Sequence, residues 1–500
     1  MATATSTATM HSRVEDFLSK PRPMFINNQF VNSASGKTFP TYNPATGEVL
    51  AKVAEGDRED IDRAVKAARK AFESDAWTYM SASQRGRLIW KLADLLEQRA
   101  EEFAQLESLD NGKPLAVARV ADLPLAVDLF RYMAGWATKI EGNTIPISSG
   151  SKKVQFLAYT RREPVGVVGQ IIPWNFPLLM AAWKLGPALA TGCTVVLKPA
   201  EQTPLSALLL AELIAEAGFP EGVVNVVPGY GETAGAALAA HPDVDKVAFT
   251  GSTEVGKLIL QAAAGNLKKV SLELGGKSPN IVFADANMRS TIAGAASAIF
   301  FNHGQCCCAG SRLYVEKDMF DQVVEGVAEQ AKKIRVGPGF EPETSMGPLV
   351  SLEQFNRVCG YLESGLNEGA EAVVGGKKKE GPGYFVEPTV MVKTNPNMKV
   401  VREEIFGPVV VASPFSDIDQ IVAEANNSEY GLAAGVWTND INKAHRVAHK
   451  LRAGTVWINC YNVFDAALPF GGYKQSGWGR EMGHEVLEMY TEVKAICAAI

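Results

Sequence analysis

The chain has 500 residues, of which 47% are hydrophobic and 21% are charged, with a net charge of −6 at pH 7. This composition is typical of globular proteins, and the length predicts roughly two to four domains. The interspersed charges give no electrostatic reason to expect nucleic acid or an anionic membrane as a partner. The seven cysteines are an odd number and three are adjacent, which excludes a disulfide framework and favours a reducing compartment.

The N-terminal stretch, residues 1–10, is rich in Ala, Thr and Ser and lacks the apolar core of a secretory signal. We predict a disordered tail here, with an organelle-targeting segment as the alternative, since no acidic residue precedes Glu15. No apolar run is long enough to span a bilayer. We therefore expect a cytoplasmic protein without a membrane partner, with the mitochondrial matrix as the alternative location.

Two long amphipathic helices are predicted near the start of the chain. Residues 57–74 place apolar side chains at helical spacing, and residues 84–109 do the same over more turns. The second pattern stops at Asn111-Gly112-Lys113-Pro114, where glycine and proline are typical of a helix end.

Short apolar strands then alternate with helices in two successive regions, which predicts two α/β domains with mostly parallel sheets, joined near Gly275-Gly276. The first region has predicted strands at residues 165–172, 194–198, 223–227, 246–250 and 269–274, and helices at 204–217 and 253–264. The second has predicted strands at 312–315, 409–415, 435–438 and 455–460, and helices near 318–333, 352–367, 418–426 and 441–451. Residues 155–162 and 492–498 are predicted as strands detached from both sheets.

Three consecutive cysteines, Cys306, Cys307 and Cys308, lie beside glycines after an Ala-rich helix. A thiol is the best soft nucleophile among side chains, especially where a helix terminus or a polar shell lowers its pKa. The alternative is that these residues are small buried hydrophobes. No metal site is expected, because adjacent cysteines have the wrong spacing for zinc and no matching Cys-x-x-Cys pair exists.

Two polar residues next to apolar strands also suit catalysis. Glu273, followed by a leucine and two glycines, could be a buried general base with a raised pKa, or an ion-paired edge residue. Asn175 lies between two prolines, where its amide could face a developing oxyanion or pack among aromatic residues. Taken alone, neither residue decides between its two interpretations.

A candidate cofactor site begins at residues 249–256, which run from a strand through a glycine turn into a helix. Free N–H groups at that helix start suit a pyrophosphate. The segment departs from the G-x-G-x-x-G fingerprint, so an ordinary strand–helix turn is the alternative. Lys198 and Glu201 follow another strand, where open α/β sheets bind ligands, and they suit ribose hydroxyls or form a solvated surface pair.

In this order, the segments resemble the aldehyde dehydrogenase superfamily over nearly the whole chain, with further matching segments at residues 43–47, 469–474 and 490–494. The resemblance implies an NAD-dependent, hydrolytic (non-acylating) enzyme with two open α/β domains and a small β element for oligomerisation. The implied Rossmann-like NAD-binding domain covers 1–145 and 163–275, and the catalytic domain covers 276–476. The implied oligomerisation element covers 146–162 and 477–500.

The resemblance also implies a covalent mechanism. Cys307, the middle cysteine, attacks the aldehyde carbon, and the Asn175 side chain and the Cys307 N–H hold the oxyanion. Hydride loss to the nicotinamide leaves a thioester, and Glu273 activates the water that releases the carboxylic acid. The resemblance also implies that Lys184 and Glu481 lie close to this base and support it.

Larger sets of residues are implied to bind the cofactor and the substrate. The implied NAD-binding residues are Ile172, Trp174, Lys198, Glu201, Gly231, Thr250, Gly251, Ser252, Gly256, Leu274, Glu404 and Phe406. NAD is favoured over NADP, because the Glu201 carboxylate would repel a 2′-phosphate. The implied substrate tunnel is lined by Phe176, Met180, Trp183, Phe301, Cys306, Cys308, Phe464 and Phe470.

This apolar tunnel favours neutral aliphatic or aryl aldehydes, such as phenylacetaldehyde, over semialdehyde acids. Cationic aminoaldehydes stay open as substrates, because Asp465 lies next to a tunnel residue in the sequence. The detached strands match the family's oligomerisation element, in which a strand extends a neighbour's sheet. A homotetramer built from dimers is therefore expected.

Three other functions fit the sequence less well. A CoA-acylating relative would tend to lack a base at the position of Glu273. A catalytically silent homologue would be expected to lose Cys307, Asn175 or Glu273, and all three are present. A Cys–His dyad with His303 would leave Glu273 and the cofactor segments unexplained.

Overall fold

The structure is a computed structural model that describes residues 9–151 and 153–500. Apart from its last two positions, the N-terminal tail predicted at residues 1–10 lies outside the described residues. Two mostly parallel sheets with helices packed against them form most of the fold, which confirms the predicted α/β class. Among the helices of the described residues, none combines bilayer-spanning length with a sufficiently apolar sequence.

The first sheet has eight strands, of which the five central ones are parallel. From edge to edge they are Gly477–Trp478, Lys269–Glu273, Lys246–Thr250, Val167–Ile171, Thr194–Lys198, Val224–Val226, Met24–Ile26 and Gln29–Val31. The strand order reverses between Val167–Ile171 and Lys246–Thr250. Such a reversal opens a crevice for ligands at the carboxyl ends of parallel strands.

The second sheet has seven strands, and all but one edge strand are parallel. In order they are Glu371–Val374, Thr389–Val392, Val409–Phe415, Arg312–Glu316, Pro279–Val282, Ala433–Trp437 and Thr455–Ile458. Only residues 274–278 separate the last central strand of the first sheet from Pro279–Val282 of the second. Because this connection is short, the carboxyl end of Lys269–Glu273 lies close to the start of Pro279–Val282.

Helices connect the strands and begin at recognisable caps; for example, Asp57 and Asp60 form a capping box at the start of Arg58–Phe72. The longer helices are Arg58–Phe72, Ala82–Gln98, Ala100–Asn111, Leu123–Trp136, Pro177–Thr191, Leu205–Ala217, Thr253–Ala263, Met288–Phe300, Phe320–Lys333, Leu352–Asn367, Ile418–Asn426 and Ile441–Lys450. Shorter ones are Ser12–Leu18, Asp75–Thr78, Leu115–Val117, Ala236–Ala240, Lys399–Arg402 and Val486–Met489, with π-helical or 3₁₀ turns at Ala118–Asp122, Gly231–Gly235, Phe301–Gly304, Lys317–Met319 and Lys474–Ser476.

The single helix predicted over residues 84–109 is wrong, because two helices, Ala82–Gln98 and Ala100–Asn111, meet at Arg99. Arg99 leaves the helical conformation, with φ −105° and ψ 19°. Its guanidinium binds Glu102 at 2.7 Å and Glu212 on a neighbouring helix at 3.4 Å. These contacts favour a bend that the apolar periodicity does not reveal. The predicted helix end is confirmed at Gly112, which has φ 92°.

Two small antiparallel sheets stand apart from the large ones. Phe156–Pro164 pairs with Thr491–Ala499 over nine residues, so the two strands predicted to be detached are present and pair with each other. The other small sheet joins Thr38–Tyr42 to Val49–Ala54 near the N-terminus. That hairpin is not predicted from the sequence, because its short strands mix polar and apolar residues without a clear period.

Candidate active site

A cavity of about 830 Å³ opens between the two sheets. Three of the predicted catalytic residues, Asn175, Glu273 and Cys307, face it from different segments of the chain. All eight predicted tunnel residues line it, as do Trp174, Thr250, Gly251, Ser252, Leu274, Glu404 and Phe406 of the predicted cofactor set. The walls of the cavity do not include Ile172, Lys184, Lys198, Glu201, Gly231, Gly256 or Glu481.

Cys307 lies in a loop that follows the helix Met288–Phe300. A left-handed turn separates the two, since Asn302, His303 and Gly304 have φ values of 46°, 60° and 68°. Glycine, and asparagine among the other residues, adopts this conformation most readily. The turn reverses the chain, so that the Cys307 side chain is partly exposed towards the cavity while Cys306 and Cys308 are buried.

The thiol of Cys307 is surrounded by sulfur and apolar atoms. The neighbouring Cys306 and Cys308 side chains, together with burial, raise the pKa of the Cys307 thiol well above its ordinary value. The thiol is therefore protonated at rest, and a nucleophilic attack requires that its proton be removed. The sulfur atoms of Cys306 and Cys308, the two neighbours of Cys307 in the sequence, lie 3.4 Å apart.

His303 is held away from any acid–base role. Its Nε2 accepts a hydrogen bond from the Gly347 N–H at 3.0 Å, deep in the protein. Burial and the nearby Lys113 cation lower the pKa of the imidazole to about 3, so the ring is neutral. Because the imidazole is neutral and its Nε2 already accepts a hydrogen bond, His303 holds the turn against the segment that contains Gly347.

Asn175 follows the strand Val167–Ile171 and begins the turn into the helix Pro177–Thr191. The side chain is buried, and its Nδ2 donates to the Gln305 carbonyl at 3.1 Å. An amide nitrogen carries two hydrogens, so one donor remains available next to the cysteine loop.

Glu273 ends the strand Lys269–Glu273 and is only 3% exposed. One of its carboxylate oxygens, Oε1, has no hydrogen-bond partner. Burial, and secondarily the negative charge of Glu481, raises the pKa of Glu273 well above its ordinary value. A carboxylate in this state is a stronger base than one exposed to water.

Lys184 and Glu481 form a buried ion pair next to this base. Lys184 Nζ lies 2.6 Å from Glu481 Oε1 and 2.7 Å from the hydroxyl of Thr250, which itself lines the cavity. The pair links the helix Pro177–Thr191 to the C-terminal region. It therefore lies outside the cavity wall, next to Thr250.

One end of the cavity combines helix-start amides with charged side chains. Ser252 caps the helix Thr253–Ala263 by accepting the Val255 N–H, and both residues line the cavity. The Glu404 carboxylate accepts the Gly276 N–H at 2.8 Å, and burial raises the pKa of Glu404 to about 7. Outside the cavity wall, Lys198 and Glu201 form an ion pair at 3.0 Å at the end of the strand Thr194–Lys198.

The other end of the cavity is aromatic. The Phe176 and Phe301 rings stack with their centroids 6.2 Å apart. Trp183 and Phe464 pack against Phe470 at 5.6 Å each. The rings of Trp174 and Phe406, which also line the cavity, pack edge to face with their centroids 5.2 Å apart. This end suits an apolar ligand.

Several residues of the site were not predicted. Lys113 is fully buried, contacts Asp122 and lies 3.3 Å from the Asn175 carbonyl oxygen. The sequence interpretation treated its segment only as a helix end. Arg357 and Gln354 line the cavity from the helix Leu352–Asn367. Nothing in the sequence around them distinguishes these side chains from surface residues of an amphipathic helix.

Known proteins resemble this chain over nearly its whole length. Residues 30–496 match the family model described as Aldehyde dehydrogenase family. The mitochondrial aldehyde dehydrogenase of Homo sapiens is 56% identical over 480 residues, which cover 95% of this chain and 92% of that protein. Retinal dehydrogenase 2 of Homo sapiens is 54% identical over 479 residues, which cover 95% and 92%.

A solved structure of similar sequence matches almost throughout. The NAD⁺ complex of an aldehyde dehydrogenase from Bacillus cereus is 57% identical, with a TM-score of 0.97, and the match covers 99% of this chain and 100% of that chain. NAD, the cofactor predicted from the sequence, is thus bound in a protein with the same fold. The chain belongs to the aldehyde dehydrogenase family, as the order of its sequence segments indicated.

Proposed function

We propose that this chain oxidises aldehydes to carboxylic acids with NAD, through a thioester on Cys307 that water hydrolyses. The observation that carries the proposal is the convergence of Cys307, Asn175 and Glu273 on one cavity. They supply a nucleophile, an oxyanion donor and a base from three separate segments. This combination is the one required for acyl transfer to water.

The residues at the charged end of the cavity fit a dinucleotide. The start of the helix Thr253–Ala263 faces the cavity and offers N–H groups to a pyrophosphate. The Glu404 carboxylate in the cavity wall suits ribose hydroxyls. The Glu201 carboxylate, which lies outside that wall and pairs with Lys198, suits them too, and its negative charge disfavours the 2′-phosphate of NADP. NAD, when bound, supplies the acceptor for the hydride that leaves the substrate carbon.

The chain's own residues account for the remaining steps. The Cys307 thiol gives its proton to solvent water in the cavity, and the thiolate attacks the carbonyl carbon, which gives a tetrahedral thiohemiacetal. The free Asn175 Nδ2 hydrogen and the Cys307 N–H donate to its oxyanion. Once the thioester has formed, Glu273 takes a proton from water, and the water oxygen attacks the acyl carbon. The C–S bond then breaks, which releases the carboxylic acid and the Cys307 thiolate. Lys184 and Glu481 hold the cavity wall behind this base.

We further propose that the substrate is a neutral aliphatic or aryl aldehyde, of which phenylacetaldehyde is an example. The aromatic end of the cavity excludes water and favours an apolar group. The Asp122 carboxylate is the acid in this wall, and its charge is paired with Lys113. Asp465 is exposed, accepts the Ala467 N–H and does not line the cavity, so this residue gives no support for a cationic aldehyde.

The first test is NADH formation with a panel of aldehydes by the parent protein and by Cys307→Ala. We expect kcat to fall by roughly 10³-fold or more, because the covalent intermediate cannot form. Cys359→Ala is the control, since this cysteine lies on the helix Leu352–Asn367 away from the cavity, and it should keep the parent rate. Turnover by Cys307→Ala at the parent rate would contradict the mechanism.

A further inference from the structure

Two backbone carbonyl oxygens, those of Asn175 and Gln305, lie where the oxyanion loop (residues 173–176) meets the cysteine loop (residues 301–309). Asn302 Nδ2 is 3.0 Å from each of these oxygens. Asn175 Nδ2 donates to the same Gln305 oxygen at 3.1 Å. Two side-chain amides, those of Asn302 and Asn175, therefore tie together the loops that carry the oxyanion donor and the nucleophile.

The orientation of the Asn302 amide follows from its neighbours. Both contacts are carbonyl oxygens, which only accept hydrogen bonds, so the NH₂ group must face them. The Asn302 Oδ1 is then left buried without a partner. The residue is also held in the left-handed conformation, with φ 46° and ψ 36°. An unpartnered buried oxygen opposes stability, which points to a role beyond packing.

The side chains of Asn111 and Lys113 also donate hydrogen bonds to backbone oxygens of the oxyanion loop. Asn111 Nδ2 lies 2.8 Å from the Trp174 oxygen and 3.4 Å from the Asn175 oxygen. Lys113 Nζ lies 3.3 Å from the Asn175 oxygen and is itself held by Asp122. The oxyanion loop is thus anchored to the segment that contains Asn111 and Lys113, and Asn302 links the Asn175 carbonyl to the cysteine loop.

We propose that Asn302 is a positioning residue that sets the distance between the Asn175 amide and the Cys307 sulfur. The inference rests on the proposed role of Asn175 as oxyanion donor. A displacement of reacting groups by about 1 Å can lower a rate by about 10²-fold, so a small separation of the two loops would slow both acylation and deacylation. Substrate binding, which uses the aromatic wall, should change little.

A double-mutant cycle tests this proposal. Asn302→Gly removes the amide and keeps the left-handed backbone; we expect kcat to fall about tenfold with KM nearly unchanged. Asn175→Ala should lower kcat by about 10²-fold. Because Asn302 acts through Asn175, adding Asn302→Gly to Asn175→Ala should cost little more.

Each outcome of the cycle has a distinct meaning. If the losses of the two single variants multiply in the double variant, Asn302 acts independently of Asn175 and the positioning role is overturned. If Asn175→Ala keeps the parent kcat, the proposed oxyanion role fails, and the inference fails with it. A near-parent kcat for Asn302→Gly in the presence of Asn175 also overturns the inference.

A second variant keeps the test decisive if Asn302→Gly does not fold. In Asn302→Asp, an ionised carboxylate would face two carbonyl oxygens, whereas the protonated acid can donate to one of them. Its kcat relative to the parent should therefore rise as the pH is lowered. Asn287→Asp, at an exposed helix cap, is the matched control and should follow the parent at every pH. A constant ratio for Asn302→Asp would overturn the proposal.

Discussion

At the scale of single residues, the environment of Glu273 explains how a carboxylate can serve as a base. The side chain is buried at a strand end, with one oxygen unpartnered and a second acid, Glu481, close by. Both features oppose ionisation and raise the pKa of Glu273. Lys184 is hydrogen-bonded to Glu481, whereas Glu273 Oε1 has no hydrogen-bond partner and can accept a proton.

The raised pKa of Glu273 has a direct consequence for the pH dependence of kcat. Below this pKa the carboxyl is protonated and cannot accept a proton from water, so thioester hydrolysis should speed up as the pH rises through it. In Glu273→Gln this limb should disappear, because the amide does not titrate. Steady-state kcat measured across pH for both proteins checks the prediction; an identical limb in the variant would assign the titration to another group.

At the scale of elements, the buried pair Lys184–Glu481 joins the helix Pro177–Thr191 to the C-terminal region. Both side chains are almost fully buried, and Lys184 is fully so. Removing one partner of such a pair leaves an uncompensated charge in the interior. This pair therefore links the stability of the fold to the position of the cavity wall.

We expect Lys184→Met to lower the free energy of unfolding by about 3–5 kcal/mol, as found when buried pairs are broken. Denaturant unfolding of the variant and the parent measures the change. Lys332→Met removes one partner of an exposed pair with Glu329 and should leave the unfolding midpoint unchanged. Equal midpoints for Lys184→Met and the parent would show that Glu481 is satisfied without its lysine.

The sequence predicts best the helices and strands whose formation depends mainly on their own residues. Thr194–Lys198 and Lys246–Thr250 have the predicted bounds, because each has three consecutive apolar residues at its centre, as is typical of strands buried on both faces. The bend at Arg99 was missed because it depends on Glu212, in another helix. The strand Met24–Ile26 was missed because it pairs with Val224–Val226, far along the chain.

The same limit applies within the candidate site. Cys307, Glu273 and Asn175 were each compatible with a place in the core, and only their combination and order singled them out. Asn302 and Lys113 lack such a signal, because their partner Asn175 lies 127 and 62 residues away in the sequence. The convergence of these amide and ammonium groups on one carbonyl appears only in three dimensions.

At the scale of the whole molecule, the strand pair Phe156–Pro164 and Thr491–Ala499 exposes apolar side chains. Leu157 is 43% exposed and Val493 is 57% exposed, at two places on this pair. An uncovered two-stranded sheet with apolar side chains is a common site of association. We propose that it joins subunits into the homotetramer expected from the sequence.

Light scattering tests this assembly. The double variant Leu157→Lys/Val493→Lys places two charges on the exposed surface, so the measured mass should fall below that of a tetramer. Ile441→Lys, at an exposed helix start outside the strand pair, should keep the parent mass. A tetrameric mass for the double variant, or a monomeric parent, would contradict the proposed role of these strands.

The central claim is that Cys307 carries the acyl group that Glu273 helps water to remove. The most direct measurement is mass spectrometry of Glu273→Gln, quenched with acid soon after mixing with NAD and phenylacetaldehyde. We predict a phenylacetyl adduct on Cys307, with none on the adjacent Cys306 or Cys308. An adduct on either neighbour, or full steady-state turnover without any adduct, would contradict the account.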